Sequence, residues 1–559
     1  MSTTTGAATS PRTAVKRLPS TPGDEYAPPP APITQRRDST SKSFTAVAVP
    51  SAEQVWASMG DKERDGERDN KRERSPARLW TWVKILLIYL AAARLWDWAR
   101  SDVDAGFFKS LVFGPGAVPV EEASPPPTAA VPPLDESFVR ACNALLTPPE
   151  HTHTTRLERL VAALGGGATR LAYIAEPGPS AAYFLGAFGP SAWKPSERPF
   201  LVAVTGGASG PEVTLLTPAF EEGRARLVPL PSEVRATFLP WAESASPYAT
   251  LLDALGVDGF VLDAQVREFV ADGLRGARDG AGVASAHDEA AAQARVARLR
   301  QVKDAHEVGL MRCANAFTLH AIRATRAQLR FGITESETRK ILYAEMGALG
   351  LTDNGALILF GENAALPHGS GTDRALGRSD LVLIDAGGKW GGYVADITRT
   401  FALPDSEVPE AHRRVWELVR RAQLAPAALL ERATGGPLHF RQLDHQARAL
   451  ISHGMRKHGV VPAPAPDYTV FTHRLGHGIG LEGHEAPYVV QGPLGDEVVL
   501  AGNVFTFEPG VYIPADAGHG DAAVRGLGVR LEDVFVVHEQ DGRLAGEWLT
   551  GPVKEWGDV

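Results

Sequence analysis

The residues of this chain that are best suited to chemistry are four carboxylates and one histidine, all set in short apolar segments. They are Asp385, Asp396, His477, Glu508 and Glu532. The two aspartates stand eleven positions apart, so a strand, a glycine-rich turn and a second strand would bring them side by side. Singly, such a carboxylate is more often a cap, and a lone histidine is more often a hydrogen-bonded structural residue. Together, four buried carboxylates would repel one another and raise their pKa values.

Two divalent cations would remove this repulsion. A pair of such ions also activates a water molecule held between them, which is a common device for hydrolysis. The segment Gly476-His-Gly-Ile-Gly480 is typical of a strand or loop whose backbone approaches a ligand closely, because glycine has no side chain to prevent it. The sequence therefore predicts a two-metal hydrolytic site.

The order of these segments resembles that of a known family. An aspartate, a second aspartate eleven residues later, His-Gly-x-Gly, Glu-Pro-Gly and Arg-x-Glu-Asp follow one another as in the M24 metallopeptidases, the prolidases and aminopeptidases P. The match covers about residues 300–540, and residues 136–290 resemble the family's N-terminal domain, for example over Glu176–Leu185. The resemblance implies an α+β chain with a pita-bread (creatinase-type) catalytic domain over 296–559, preceded by a smaller α/β creatinase-type domain over 136–295.

The resemblance also implies the ligand set of the metal ions. Asp396 and Glu532 are expected to bridge two divalent ions, and Asp385 to bind one of them. His477 and Glu508 are expected to bind the other, and Glu508 also to accept the proton of the bridging water. The predicted ion is Mn²⁺, because most ligands are oxygens, with Co²⁺, Zn²⁺ or Fe²⁺ as alternatives.

Further side chains receive roles from the same resemblance. His368 and His484 are expected to be catalytic and to bind the substrate, the first by steadying the substrate or the tetrahedral intermediate. Arg530 is expected to bind a substrate carboxylate or to support a metal ligand. His473 is expected to be structural.

The implied reaction is hydrolysis of the peptide bond before proline at the N-terminus of a peptide, with a metal-bridging hydroxide as the nucleophile. The expected partners are therefore peptides with proline in the second position, and a homodimer is expected as a possible assembly. Prolidases commonly hold a dipeptide's carboxylate with an arginine between the His-Gly-x-Gly and Glu-Pro-Gly motifs. Here no arginine lies between Arg474 and Arg525, which favours longer peptides unless Arg530 substitutes.

Two alternatives to a metallopeptidase stay open. One is a metal-free relative of the same fold, either a creatine-amidinohydrolase-like enzyme or a peptide-binding module. Such relatives lack the full ligand set, which this chain retains. The other is a membrane-tethered interaction protein whose working part is the first 78 residues. Deletion of those residues separates it from an enzyme, which would keep its peptidase activity.

The hydrophobic pattern predicts the elements that position these residues. Helices are expected over Asp304–Leu329, after the capping box Thr334–Glu337, and over Glu410–Ala433 and Arg441–His458. Strands are expected in the second domain over Ala356–Phe360, Leu381–Ile384, Val394–Phe401, Val504–Phe507 and Val529–Val537. In the first domain, strands over Leu171–Ile174, Phe200–Val204 and Val213–Leu216 alternate with helices over Leu251–Leu255 and Ala264–Leu274.

The N-terminal region has a different composition. Residues 1–78 are rich in Pro, Ser, Thr and charged residues and predict a disordered cytosolic tail. Residues 79–98 are apolar with aromatic ends and predict one transmembrane helix, although Lys84 and Arg94 interrupt it. A Pro-rich linker is expected over 99–135. Seven basic residues between 61 and 78 predict a type II orientation with a lumenal or extracellular catalytic domain, although the chain has no Asn-x-Ser/Thr sequon to support it.

Net charge and cysteine content bear on nucleic-acid binding and on disulfide formation. The formal net charge is −9, and the predicted domains contain no basic stripe interleaved with aromatic residues, so nucleic acid is not an expected partner. The two cysteines, Cys142 and Cys313, fall in different predicted domains. This placement favours two separate buried thiols over a disulfide.

Overall fold

The computed structural model describes residues 131–165, 169–278, 284–433, 436–457, 469–517 and 521–559. The predicted tail over 1–78, the predicted anchor over 79–98 and nearly all of the predicted linker over 99–135 lie outside these residues.

The structure contradicts the prediction of a single-pass type II membrane protein. In the part of the chain that the structure describes, no helix is both long enough and apolar enough to cross a bilayer. The reason is visible in the longest helices, Ala305–Ala327 and Glu410–Arg432, which carry charged residues along one face and bury the other.

The first half of the described chain is built on one mixed sheet. Its elements are α1 (Glu136–Ala144), α2 (Thr152–Leu164), β1 (Leu171–Ala175), α3 (Pro179–Leu185), β2 (Leu201–Gly207), β3 (Gly210–Pro218), α4 (Glu222–Ala225), β4 (Ala236–Trp241), α5 (Pro247–Leu255), β5 (Gly259–Leu262), α6 (Glu268–Ala277) and α7 (Ala286–Gln301). The strand order is β4-β3-β2-β1-β5, with β1–β5 and β3–β4 parallel and the other pairs antiparallel. Strand β1 alternates between two cores, with Tyr173 in one and Ile174 in the other.

The second half contains three sheets between pairs of helices. Its elements are α8 (Ala305–Ala327), α9 (Glu335–Ala348), β6 (Thr352–Phe360), β7 (Val382–Trp390), β8 (Tyr393–Val394), β9 (Ile397–Phe401), α10 (Glu410–Arg432), α11 (Phe440–Lys457), β10 (Gly476–Gly478), β11 (Glu485–Val489), β12 (Val504–Phe507), β13 (Gly510–Ile513), β14 (Leu527–Arg530), β15 (Asp533–Gln540) and β16 (Arg543–Trp548). Strand β7 pairs with β6, β8 and β9, β13 pairs with β14, and the third sheet has the order β11-β10-β12-β15-β16. This α+β arrangement is the predicted pita-bread fold.

Local sequence signals explain the helices. Both α8 and α9 begin with a complete capping box, built by Asp304 with Glu307 and by Thr334 with Glu337. Buried residues of α8 and α9 pack on β6 and β7 in one core, and those of α10 and α11 pack on β12 and β15 in another. The helices thus cover the outer faces of the sheets, and the inner faces are left for the site.

One predicted strand is in fact two. The stretch 529–537 divides where β14 ends at Arg530 and β15 begins at Asp533, because the two strands belong to different sheets. Between them the backbone N–H of Glu532 donates to the carbonyl of Thr398 at 3.0 Å. The change of partner places Glu532 at the junction of the sheets.

The prediction for the cysteines is also wrong. Cys142 and Cys313 form a disulfide, with their Cα atoms 5.8 Å apart. The reason is that α1 packs on the second half of the chain: Phe138 contacts Phe317 edge to face, and Trp390 donates to the carbonyl of Cys142. The predicted domain limits, 136–295 and 296–559, stay a prediction, and the limit at 295/296 falls within α7.

Candidate active site

Strand pairing brings the predicted ligand residues together. Asp385 lies in β7 opposite Thr398 of β9, and Thr398 in turn forms a bridge with Glu532. Asp396 lies in the two-residue gap between β8 and β9, so the predicted strand over 394–401 is interrupted at this residue. His477 is the central residue of β10, and Glu508 follows the last residue of β12.

The side chains converge on a small volume. Three sets of ligand atoms each lie within 4.8 Å of one another: Asp385–Asp396–Glu532, His477–Glu508–Glu532 and Asp396–His477–His484. His477 Nε2 lies 3.5 Å from an oxygen of Glu508, 3.7 Å from one of Asp396 and 3.8 Å from one of Glu532. All five predicted metal-binding residues are therefore in one cluster, called the site cluster below.

Two glycines allow His477 to lie between its neighbouring strands. A Cβ at Gly476 would lie 1.8 Å from the carbonyl oxygen of Thr506, and one at Gly478 would lie 2.4 Å from that of Ala486. No other residue type fits at either position without moving the backbone. The glycines of the motif are thus explained by the close approach of β10 to β11 and β12.

The electrostatics of the site cluster are those of an uncompensated acidic site. Burial, together with the charge of Glu532 and the neighbouring carboxylates, raises the pKa of Asp396 and that of Glu508 well above their usual values. Burial and the charge of Asp385 raise the pKa of Glu532 to about 7. In the described residues, Glu532 Oε1 is buried and has no hydrogen-bond partner. A cation at this oxygen would supply its missing partner and offset the repulsion that raises the carboxylate pKa values.

The protonation state of His477 suits a metal ligand. Burial, and then the nearby His484 and Arg474, lower the pKa of His477 to about 3, so its imidazole is neutral. Its Nδ1 lies 3.2 Å from the carbonyl oxygen of Gly478, which can only accept, so Nδ1 carries the proton. Nε2 therefore presents a lone pair toward the carboxylates. Four carboxylates and one such nitrogen form an oxygen-rich donor set that fits two divalent cations.

Arg530 lies behind Asp385. Its side chain is only 4% exposed, and Nη2 donates to Asp385 Oδ2 at 2.6 Å. Nη1 donates to Tyr512 Oη at 3.0 Å and to the carbonyl of Pro367 at 3.2 Å, and Nε donates to Thr398 Oγ1 at 3.2 Å. Of its two predicted roles, the geometry favours support of a ligand over capture of a substrate carboxylate.

His473 continues this chain of hydrogen bonds. Its Nδ1 lies 2.7 Å from the carbonyl of Arg474, and its Nε2 lies 2.8 Å from Tyr512 Oη, so Tyr512 donates to His473. Burial lowers the pKa of His473 to about 3 and raises that of Tyr512 to about 12. Both groups are neutral, and the structural role of His473 stays a prediction.

His368 and His484 lie at the rim. Both are exposed, unlike the ligand residues. The ring of His484 is centred 4.1 Å from the ring of His477, and His368 follows Pro367, whose carbonyl accepts from Arg530. Both histidines are therefore accessible to a peptide that reaches the site cluster.

Comparison with known proteins agrees with this geometry. The model of metallopeptidase family M24 matches residues 309–539. An uncharacterized peptidase of Schizosaccharomyces pombe is 33% identical over 375 residues, which cover 66% of this chain and 76% of that protein. The chain belongs to the M24 metallopeptidase family.

Solved structures of two dipeptidases match the described fold. The dipeptidase PepE from Mycobacterium ulcerans has a TM-score of 0.58 and 25% identity, covering 73% of this chain and 97% of its own. A dipeptidase from Pyrococcus horikoshii has a TM-score of 0.55 and 28% identity, covering 72% and 100%. The family and the pita-bread fold predicted from the motifs are confirmed.

Three residues of this M24 peptidase were missed by the sequence analysis. Thr398 donates to Glu532 Oε2 at 2.7 Å, and Tyr512 connects Arg530 to His473. Arg474 is half-buried with its guanidinium over the Tyr488 ring, and its charge contributes to the lowered pKa of His477. The period-two spacing of Thr398 from Asp396 was the available signal for the first. Tyr512 and Arg474 carried none beyond their nearness to motifs.

Proposed function

We propose that this M24 peptidase is a two-metal exopeptidase that hydrolyses Xaa-Pro bonds at the N-termini of peptides. The observation that carries the proposal is that oxygens of three carboxylates lie within 3.8 Å of His477 Nε2. One of them, the buried Oε1 of Glu532, has no hydrogen-bond partner among the described residues. Mn²⁺ is the first choice of ion, with Co²⁺, Zn²⁺ and Fe²⁺ as alternatives. Asp385, Asp396, His477, Glu508 and Glu532 are the residues that would hold the two ions.

The ions, when bound, would polarise the scissile carbonyl and lower the pKa of a water molecule. The chain supplies the proton transfers. Glu508 accepts a proton from the attacking water and delivers it to the proline nitrogen as the carbon–nitrogen bond breaks. His368 and His484, exposed at the rim, donate hydrogen bonds to the oxygen that gains negative charge.

Surrounding residues keep the ligands in place. Arg530 holds Asp385 through a charge-assisted hydrogen bond, and Thr398 holds Glu532. Their partners fix the rotamers, so the ligand geometry is set before a substrate arrives. The same contacts leave Arg530 few free donors for a peptide carboxylate, which favours substrates longer than a dipeptide.

A strict dipeptidase is the second candidate. The matched proteins from M. ulcerans and P. horikoshii are named dipeptidases, and Arg474 lies near His484 with a guanidinium that a free carboxylate would attract. A homodimer also stays a prediction, to be read from the mass of the purified protein in solution.

The test compares substrates on the purified full chain supplied with Mn²⁺. Ala-Pro, Ala-Pro-Ala and Ala-Ala-Ala are incubated with the protein, and free alanine is measured. We expect alanine to be released from the proline peptides and not from Ala-Ala-Ala, and the tripeptide to be cleaved faster than the dipeptide. Equal cleavage of Ala-Ala-Ala would contradict the proline specificity, and cleavage of Ala-Pro alone would favour the dipeptidase.

A further inference from the structure

A second group of charged side chains, two buried and two partly buried, includes the residue that follows His484 in the chain. It consists of Arg300, Lys303, Glu482 and Glu485 and is called the anchor cluster. Glu485 Oε1 accepts from Lys303 Nζ at 2.6 Å, and its Oε2 accepts from Arg300 Nη2 at 2.7 Å. The Lys303 side chain is 1% exposed and that of Glu485 is 8% exposed. Burial of such charges is costly, so their pairing strongly constrains the chain that carries them.

The cluster restrains the loop that ends at His484. Glu485 follows His484 directly and begins β11, and its Oε2 also accepts from the backbone N–H of Glu482 at 3.3 Å. The carboxylate of Glu485 therefore holds the second half of the loop, from Glu482 to His484, in a closed turn. Gly480 allows this, because a Cβ there would lie 2.7 Å from Glu485 Oε1 and 2.9 Å from Lys303 Cε.

The other end of the cluster reaches the sheet of the first half of the chain. Arg300 Nη1 donates to Ser180 Oγ at 3.1 Å, and Ser180 donates to Asp263 Oδ2 at 2.7 Å. Tyr173 of β1 donates to the same Asp263 oxygen at 2.8 Å. A second connection runs from Gln265 to Glu482. Arg300 thus joins α3 and the end of β5 to the His484 loop.

We propose that Arg300, Lys303 and Glu485 are positioning residues for His484, through which the first half of the chain sets the geometry of the active site. This inference rests on the proposed function for its kinetic consequence. None of the three residues touches the site cluster, and the anchor acts only through the backbone of residues 480–485. Displacement of a catalytic group by about 1 Å costs up to about 100-fold in rate, so small movements of His484 have a large effect.

The anchor differs from an ordinary stabilising ion pair in its expected kinetics. Loss of the anchor should lower kcat more than it changes KM, because His484 is needed most as charge develops. It should leave the metal content unchanged, since the five ligands are held by other contacts. A purely structural ion pair would lower the fraction of folded protein and leave kcat per folded molecule unaltered.

The experiment uses the full-length protein and three variants. Arg300→Met removes the hydrogen bonds of Arg300 to Ser180, Glu482 and Glu485. Arg300→Lys keeps the positive charge but cannot bind Ser180 and the glutamates together. Ser180→Ala removes the link between Arg300 and α3 and leaves the bond from Gln265 to Glu482 in place. Arg275→Ala is the matched control, because Arg275 pairs with Glu268 and Asp272 on an exposed face of the first sheet's helices. The measurements are kcat and KM on Ala-Pro-Ala, bound metal per chain, and amide hydrogen exchange of residues 480–486.

We expect kcat to fall about 10- to 100-fold in Arg300→Met, less in Arg300→Lys, and about 5-fold in Ser180→Ala, which loses only the two hydrogen bonds of Ser180. Exchange in residues 480–486 should be faster in the same order, and Arg275→Ala should match the wild type. Unchanged exchange in both Arg300→Met and Ser180→Ala would overturn the anchor. Faster exchange with unchanged kcat would overturn the positioning role. If the wild type did not cleave Ala-Pro-Ala but hydrogen exchange was still faster in the variants, the proposed function would be rejected. The structural role of the anchor cluster would then stand.

Discussion

Glu532 and Asp533 are neighbours in sequence, yet their surroundings differ in one decisive respect. Both oxygens of Asp533 have donors from the chain: Arg399 and Thr550, each at 2.6 Å from Oδ1, and Gln423 at 3.0 Å from Oδ2. Glu532 has one donor, Thr398, and its other oxygen has no partner among the described residues.

The comparison separates two kinds of buried carboxylate. Asp533 is paired with Arg399, whose side chain is 1% exposed, so the charge of this carboxylate is compensated within the fold. Glu532 lies with three other carboxylates. Burial and the neighbouring carboxylates raise the pKa values of Glu532, Asp396 and Glu508, and the charge of Arg530 offsets only part of this rise. A carboxylate with a full set of partners holds the structure together, whereas one with an open oxygen in an acidic cluster is available for a cation.

The largest expected effect is on catalysis. Glu508→Gln keeps the shape of the side chain but cannot accept a proton, so we expect kcat on Ala-Pro-Ala to fall by about 10²- to 10⁴-fold with little change in KM. Steady-state kinetics on metal-loaded protein provide the measurement. A raised KM with an unchanged kcat would remove Glu508 from the role of base.

His368→Ala should also lower kcat but by less than Glu508→Gln, since this variant loses a hydrogen bond and keeps the proton acceptor.

Asp533→Asn should have the opposite profile. It leaves the buried Arg399 without its counter-charge, and breaking such a pair costs about 3–5 kcal/mol of stability. Urea unfolding measures this loss, and we expect kcat per folded molecule to stay within a few-fold of the wild type. If Asp533→Asn lost catalysis while keeping full stability, the distinction between the two carboxylates would fail.

Removal of metal should reverse the effect of a ligand substitution on stability. The pKa of Glu532 is raised from 4.5 to about 7, so its contribution to stability is present at low pH and lost as the pH rises through about 7. At pH 8 the metal-free cluster is therefore self-repelling, and Asp396→Asn should stabilise the metal-free chain by about 1–3 kcal/mol. With Mn²⁺ present the wild type should instead be more stable than Asp396→Asn, because the wild type binds the ion more tightly. Thermal unfolding with and without chelator checks both signs.

His473 provides a smaller effect with the opposite dependence on pH. Its pKa is lowered to about 3, so the unfolded chain binds the extra proton first as the pH falls below about 6.5. Stability from neutral His473 is complete above that pH and is lost between about 6.5 and 3. The advantage of the wild type over His473→Gln in urea unfolding should fall by about 1–2 kcal/mol from pH 7.5 to pH 5.5. An advantage independent of pH would mean that the pKa of His473 is the same in the folded and the unfolded chain.

The sequence predicted the family, the fold and the site cluster because each ligand lies in a motif with its own spacing. It predicted the helices of the second half to within a few residues, since their caps and periodicity are local. It failed for the single strand predicted over 529–537, which changes sheets at Glu532, where the chain contacts Thr398, 134 positions away. It failed for Cys142 because α1 packs on a helix far along the chain. The anchor cluster joins segments that no local pattern connects.

Reconstitution with metal tests the central claim most directly. The full chain is stripped with chelator and titrated with Mn²⁺, and bound metal and hydrolysis of Ala-Pro-Ala are followed together. We predict no activity in the stripped protein and full activity at two ions per chain, with Asp385→Asn and His477→Ala reduced in both metal and activity. Full activity in the stripped protein, or unreduced metal binding in both variants, would contradict a two-metal centre built from these residues.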